Sequence, residues 1–115
     1  MSETEDVLIN NAKEYFKNAQ DAQNKDEFNT SVTLFFKAIS ALCDLFILRK
    51  EGKIPSSHTN RFRILETRYK DLYNLIDKDF PFYQESYKTK LTKEVSLVLF
   101  EDVKKISKIV EINLQ

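Results

Sequence analysis

Apolar residues recur every three or four positions along most of this chain and almost nowhere alternate, which is the signature of amphipathic helices. Val7, Leu8, Ala12, Tyr15, Phe16 and Ala19 form the first stripe, and Ser2 and Glu5 have capping-box spacing. A first helix is therefore expected from Thr4 to Gln23. The polar stretch from Asp21 to Glu27 predicts a short loop with Asn24 or Asp26 as the next N-cap, and hence an antiparallel hairpin. A second helix is expected from about Asp26 to Lys50, with Phe28, Val32, Phe35, Phe36, Ile39, Leu42, Cys43, Phe46 and Ile47 facing inward. Leu34, Leu45 and Leu48 widen that face so far that several helices must pack around it. Lys37, Ser40 and Asp44 are left as its narrow solvent face.

Gly52 is placed to take a left-handed C-cap, and Pro55 blocks continuation of the helix. Ser57 or Thr59 can cap a third helix, whose Phe62, Leu65, Tyr69, Leu72, Tyr73 and Ile76 keep helical spacing to about Asp77. Pro81 suits the first position of a short fourth helix, PFYQESYK, because a missing N–H costs nothing there. Thr92 can cap the last helix, lined by Val95, Val98, Leu99, Val103, Ile106, Val110 and Asn113. The pattern predicts an all-α fold, an up-down bundle of four long helices plus one short helix.

Length and composition narrow this picture. With 115 residues the chain can hold one domain with a real core, so residues 1–115 are read as a single domain. One Gly and two Pro are too few for the turns of an all-β fold. Net charge is zero but unevenly spread: residues 1–27 carry seven acids against three bases, and residues 49–63 carry five bases against one acid. Without an overall positive charge, DNA or RNA is not favoured as the main ligand, although a local basic patch remains. Cys43 stands among Ala41, Leu42, Leu45 and Phe46, as a small buried hydrophobe in a reducing compartment would. The N-terminus begins with acids rather than with a basic and then apolar leader. No apolar run is read as approaching the ~20 residues that span a bilayer. A cytoplasmic chain without membrane contact is expected.

The chemistry available is concentrated in one corner. His58, the only histidine, is flanked by Arg49, Lys50, Lys53, Arg61 and Arg63. The Ser56 and Ser57 hydroxyls, with the free N–H groups opening the third helix, could bind a phosphate. The same corner also reads as a solvated turn whose serines are caps, and both readings stay open. Tyr83 and Tyr87, four residues apart on one helix face, could stack on a nucleobase or simply pack. One His and one Cys do not assemble a Ser-His-Asp triad, a Cys-His dyad or a His-based metal site. No catalytic residue, metal or cofactor is assigned.

Three segments together resemble the HEPN family of small helical domains, named for their occurrence in higher eukaryotes and prokaryotes and for nucleotide binding. They are the Phe-Phe-x-Ala-Ile run from Phe35 to Ile39, the turn GKIPSSH from Gly52 to His58, and YQESYKTKLTKEV from Tyr83 to Val95. The resemblance implies an up-down bundle, frequently a homodimer, often encoded beside or fused to a small nucleotidyltransferase, and in many members a ribonuclease toxin of a toxin-antitoxin pair. The ribonuclease branch uses an Arg followed after four to six residues by a His. Here Arg49 precedes His58 by nine positions and Arg61 follows it, so that catalytic pair does not carry over. The expectation is a non-catalytic module that binds a nucleotide or a partner protein, with Arg49, Lys53, Ser57, His58, Arg61 and Tyr87 as the residues meeting an anionic ligand. Two alternatives remain: a ribonuclease with a degenerate site, in which His58 acts as acid or base, and a plain helical interaction scaffold.

Overall fold

The computed structural model describes residues 2–115, which form five helices and, among the described residues, no strand. Helix α1 spans Glu3–Asn24, α2 Phe28–Glu51, α3 His58–Arg68, α4 Lys70–Glu85 and α5 Lys93–Val110. The all-α bundle is thus the observed architecture. Contacts between the helix ends give its topology. Arg49 near the end of α2 reaches Glu5 near the start of α1, so those two helices run antiparallel. Ser31 at the start of α2 meets Ser96 at the start of α5, and Arg49 meets the Val110 carbonyl, so α5 runs alongside α2 in the same direction. Tyr69 lies against Phe46, and Ser86 against Thr33, so α4 returns antiparallel to α2. The four long helices alternate up and down, with α3 inserted between the second and third.

Helix α2 is the centre. Eleven of its residues are buried, including Phe35, Phe36, Ile39, Leu42, Leu45 and Ile47, and α1, α4 and α5 all pack on it. By length and composition it is apolar enough to cross a bilayer, which corrects the expectation that no segment is. Its apolar sides are covered by the other helices instead. Burial of Cys43 in this core pushes its thiol up to about 12, leaving it protonated and inert.

Local chemistry sets most boundaries. Ser2, Ser57 and Thr92 each accept a hydrogen bond from the backbone N–H three residues on, at 3.1, 3.0 and 3.3 Å. Helix α2 differs: neither Asn24 nor Asp26 caps it, the cap position is Glu27 without a side-chain bond, and Asp26 takes a positive φ of 60°. Gly52 ends α2 at φ 86°, where an added Cβ would touch nothing within 4 Å. Gly52→Ala should therefore cost only the left-handed backbone term, about 1–2 kcal/mol. Thermal unfolding would show this as a midpoint lower by roughly 4–8 °C; an unchanged midpoint would mean the cap contributes nothing.

Two expectations around the middle of the chain are corrected. The third helix does not continue to Asp77, because Tyr69, at φ −136° and ψ 67°, is at once the C-cap of α3 and the N-cap of α4. Tertiary contacts hold it there: its ring meets Phe46 edge-on at 5.0 Å and its hydroxyl donates to Glu51 Oε2 at 2.6 Å. Nor does Pro81 open a short helix PFYQESYK. It lies inside α4, on the exposed side, where the carbonyl it leaves without an N–H partner, that of the exposed Asp77, can turn to solvent. The short helix is α3, and α4 ends at Glu85 in a turn tied down by Asn29, whose side chain bonds Ser86 O, Thr89 O and Leu91 N. Val98, expected on the inner face of α5, is 40% exposed.

The α4–α5 contact contains an unusual pair. Asp79 and Asp102 are fully buried on facing helices. Lys78 Nζ lies 2.8 Å from Asp102 Oδ2, and Lys105 Nζ lies 3.9 Å from its other oxygen, while neither oxygen of Asp79 has a donor. Two carboxylates only accept, so Asp79 is satisfied only when it carries a proton and donates to Asp102. Burial, reinforced by Asp102, raises Asp79 to about 8.

Candidate functional site

The segment from Gly52 to Ser57 runs back along α2, so that α3 begins beside Asp44 and ends beside Glu51. This places the first turn of α3 over a stripe of polar residues on α2. Lys37, Ser40 and Asp44, spaced three and four apart, share one helix face. They form the floor of a cavity of about 230 Å³ rather than an open solvent face. His58 and Arg61 of α3 close it from one side, Tyr83 of α4 from another, and Asn11 and Tyr15 of α1 from a third.

Arg61 organises the site. Its Nε donates to Asp44 Oδ1 at 2.7 Å and its Nη2 to Asp44 Oδ2 at 2.9 Å, a bidentate pair with side chains only 11% and 15% exposed. Its Nη1 lies 2.7 Å from His58 Nδ1. A guanidinium can only donate, so Nδ1 is the acceptor and the imidazole proton sits on Nε2. Partial burial and the Arg61 charge both lower the His58 pKa below its ordinary value, which keeps the ring neutral at pH 7. His58 is thus fixed as a hydrogen-bond donor through Nε2.

Lys37 differs from Arg61 in having no carboxylate within ion-pair distance among the described residues. Its ammonium stands 5.9 Å from the centre of the Tyr83 ring. The Ser40 hydroxyl, in the same wall, is buried with no hydrogen-bond partner. After Asp44 and Arg61 neutralise each other, the cavity retains one positive charge, on Lys37. The cavity thus combines an ammonium that has no counter-ion with a neutral imidazole that donates, both groups chemically suited to an anion.

The residues expected to meet the ligand are only partly brought together. His58 and Arg61 line the cavity. Tyr87 is beside it, its hydroxyl donating to Tyr83 at 2.9 Å, with its own ring 68% exposed. The two tyrosine rings meet at 85°, so they do not sandwich a base between parallel faces. Tyr83 instead stacks on Phe36 at 4.6 Å. Ser57 is engaged as the cap of α3. Arg49 is elsewhere, donating at 3.3 Å to both Glu5 and the Val110 carbonyl, and Lys53 is exposed in the turn. Lys37, Ser40 and Asp44 join the site although their spacing alone had suggested a solvent face. Among the described residues no three His, Cys, Asp or Glu side chains converge as metal ligands would.

Fold and cavity together define a small five-helix bundle with a polar pocket between its helices. Compared with protein-family models, curated proteins and solved structures, the chain matches none.

Proposed function

We propose that this chain is a non-catalytic, HEPN-like recognition module that holds the phosphate of a nucleotide in the cavity between α1, α2, α3 and α4. The observation that carries the reading is that the unpaired Lys37 ammonium lines the same cavity as His58, whose Nε2 holds the imidazole proton. A phosphate oxygen between them accepts from both, and the buried Ser40 hydroxyl gains an acceptor. At about 230 Å³ the cavity is smaller than the roughly 300 Å³ at which pockets enclosing drug-sized ligands begin. It suits the anionic end of a ligand, with the remainder outside.

The homodimer and the small nucleotidyltransferase partner implied by the HEPN resemblance belong to the same proposal. The ribonuclease alternative is less well supported. A general base needs a free basic nitrogen, and the basic nitrogen of His58 is held by Arg61.

Lys37→Ala is expected to weaken binding of a mononucleotide about tenfold or more, the size of a lost charge-assisted hydrogen bond, with an unchanged midpoint in the absence of ligand. Titration calorimetry on both proteins measures this. Equal affinities would remove Lys37 from the site and the reading with it. RNA cleavage by the wild type that disappears in a folded His58→Ala variant would establish the ribonuclease instead.

A further inference from the structure

His58 is a wall of two cavities. Beyond the one already described, a second of about 380 Å³ lies between α3 and α4, lined by Thr59, Phe62, Arg63, Glu66 and Phe80. The imidazole centroid is 6.4 Å from the Tyr83 ring on the first side and 6.0 Å from the Phe80 ring on the second. One ring therefore stands between two chambers of different chemistry.

The first chamber is polar and carries the unpaired charge of Lys37. The second is walled by Phe62 and Phe80, which meet at 5.1 Å and 61°, and it has both Arg63 and Glu66 on its exposed edge. Neither of those two is in an ion pair among the described residues. With one charge of each sign, the second chamber has no net attraction for an anion. Phe62 and Phe80 touch edge to face and leave no slot between them, so a flat ring would stack on the face of one of them, and the rim offers a carboxylate that accepts two N–H groups and a guanidinium that donates two.

The bases differ in how well they match such a rim. Adenine and cytosine each present an amino donor beside a ring-nitrogen acceptor, whose lone pair would oppose one carboxylate oxygen. Uracil presents a single N–H between two carbonyls. Guanine alone has adjacent N1–H and N2–H₂ donors for Glu66 on one edge, with O6 and N7 acceptors for an arginine on another. We propose that the two cavities form one bipartite site for a guanine mononucleotide, with phosphate at Lys37 and His58 and the base against Phe62 or Phe80, read by Glu66. This rests on the phosphate reading of the first cavity and adds to it the identity of the base.

The test is calorimetric titration of the full chain with GMP, AMP, ribose 5-phosphate and inorganic phosphate, repeated on Glu66→Gln and Lys37→Ala. Glu66 is exposed, so the Glu66→Gln variant should fold as the wild type does, which its unfolding midpoint checks. GMP is expected to bind at least tenfold tighter than both AMP and ribose 5-phosphate. Glu66→Gln should collapse that ratio toward one, whereas Lys37→Ala should weaken every phosphorylated ligand. Equal binding of GMP and ribose 5-phosphate, lost in Lys37→Ala, would overturn the base chamber and leave the phosphate site standing. AMP binding as tightly as GMP would overturn the guanine assignment. No binding of any of the four would overturn both readings.

Discussion

Replacing Asp79 with Asn is expected to stabilise the bundle at neutral pH and to flatten the dependence of its stability on pH. An Asn amide is neutral at every pH and donates to Asp102 as the protonated acid does. In the wild type the folded chain holds a proton on Asp79 up to about 8, whereas the unfolded chain releases it near 3.8. Between those values the native state binds more protons than the unfolded state, so stability is greatest at the acid end and falls as pH rises toward 8. Lys78 on α4 and Lys105 on α5 face the pair and limit the effect without removing it. At pH 7 the difference should be on the order of a few kcal/mol, or about ten degrees in the midpoint. Comparing the two proteins from pH 5 to 8 subtracts the opposite trend from His58, whose lowered pKa makes stability fall as pH drops below its ordinary 6.5. Parallel profiles for variant and wild type would show that Asp79 is ionised in the folded chain.

Arg61→Ala should be the other large change, and it is a stability effect before it is a binding effect. Removing the guanidinium leaves Asp44 against α3 without its bidentate partner and frees His58 Nδ1. Breaking one side of a buried ion pair costs about 3–5 kcal/mol, and the slight exposure of this one places it toward the lower end. Asp44→Ala should be similarly harmful, and the double variant should recover part of the loss, with a coupling of roughly 1–3 kcal/mol in chemical denaturation. Strictly additive losses would mean the pair does not hold α3 in place. Loss of ligand in an Arg61 variant consequently says little about direct contact, whereas Lys37 and Glu66, neither of which is in an ion pair among the described residues, report on binding more directly.

The starts of α1, α3 and α5 and the end of α2 were legible because local chemistry decides them. Ser2, Ser57, Thr92 and Gly52 sit where capping requires them. The break at Tyr69 was not legible, since the helical spacing of Leu65, Tyr69, Leu72 and Tyr73 continues through it. What stops the helix is distant in sequence, the Phe46 ring and the Glu51 carboxylate. Pro81 suggested a boundary because a proline usually makes one, but its exposed side of α4 tolerates the lost bond. In the site, His58 and Arg61 stood out by residue type, and Arg49 and Lys53 by sequence proximity alone. Lys37, Ser40 and Asp44 carried a visible signal, a regular polar stripe on an otherwise apolar helix, whose partner could not be known before α3 was placed. Asp79 and Asp102 also had one: each occupies an inward position, with Leu72, Ile76 and Tyr83 or with Leu99 and Ile106.

The walls of the cavity differ in stiffness. Its floor belongs to α2, the most deeply buried helix, whereas its roof is α3, eleven residues long with only Leu65 buried and suspended between Gly52 and the single-residue joint at Tyr69. Local opening follows the least packed element rather than the global transition. The positions of His58 and Arg61 therefore depend on how firmly one short helix is fastened, through Arg61 and Leu65, whereas Lys37, Ser40 and Asp44 are held by the stability of the bundle as a whole.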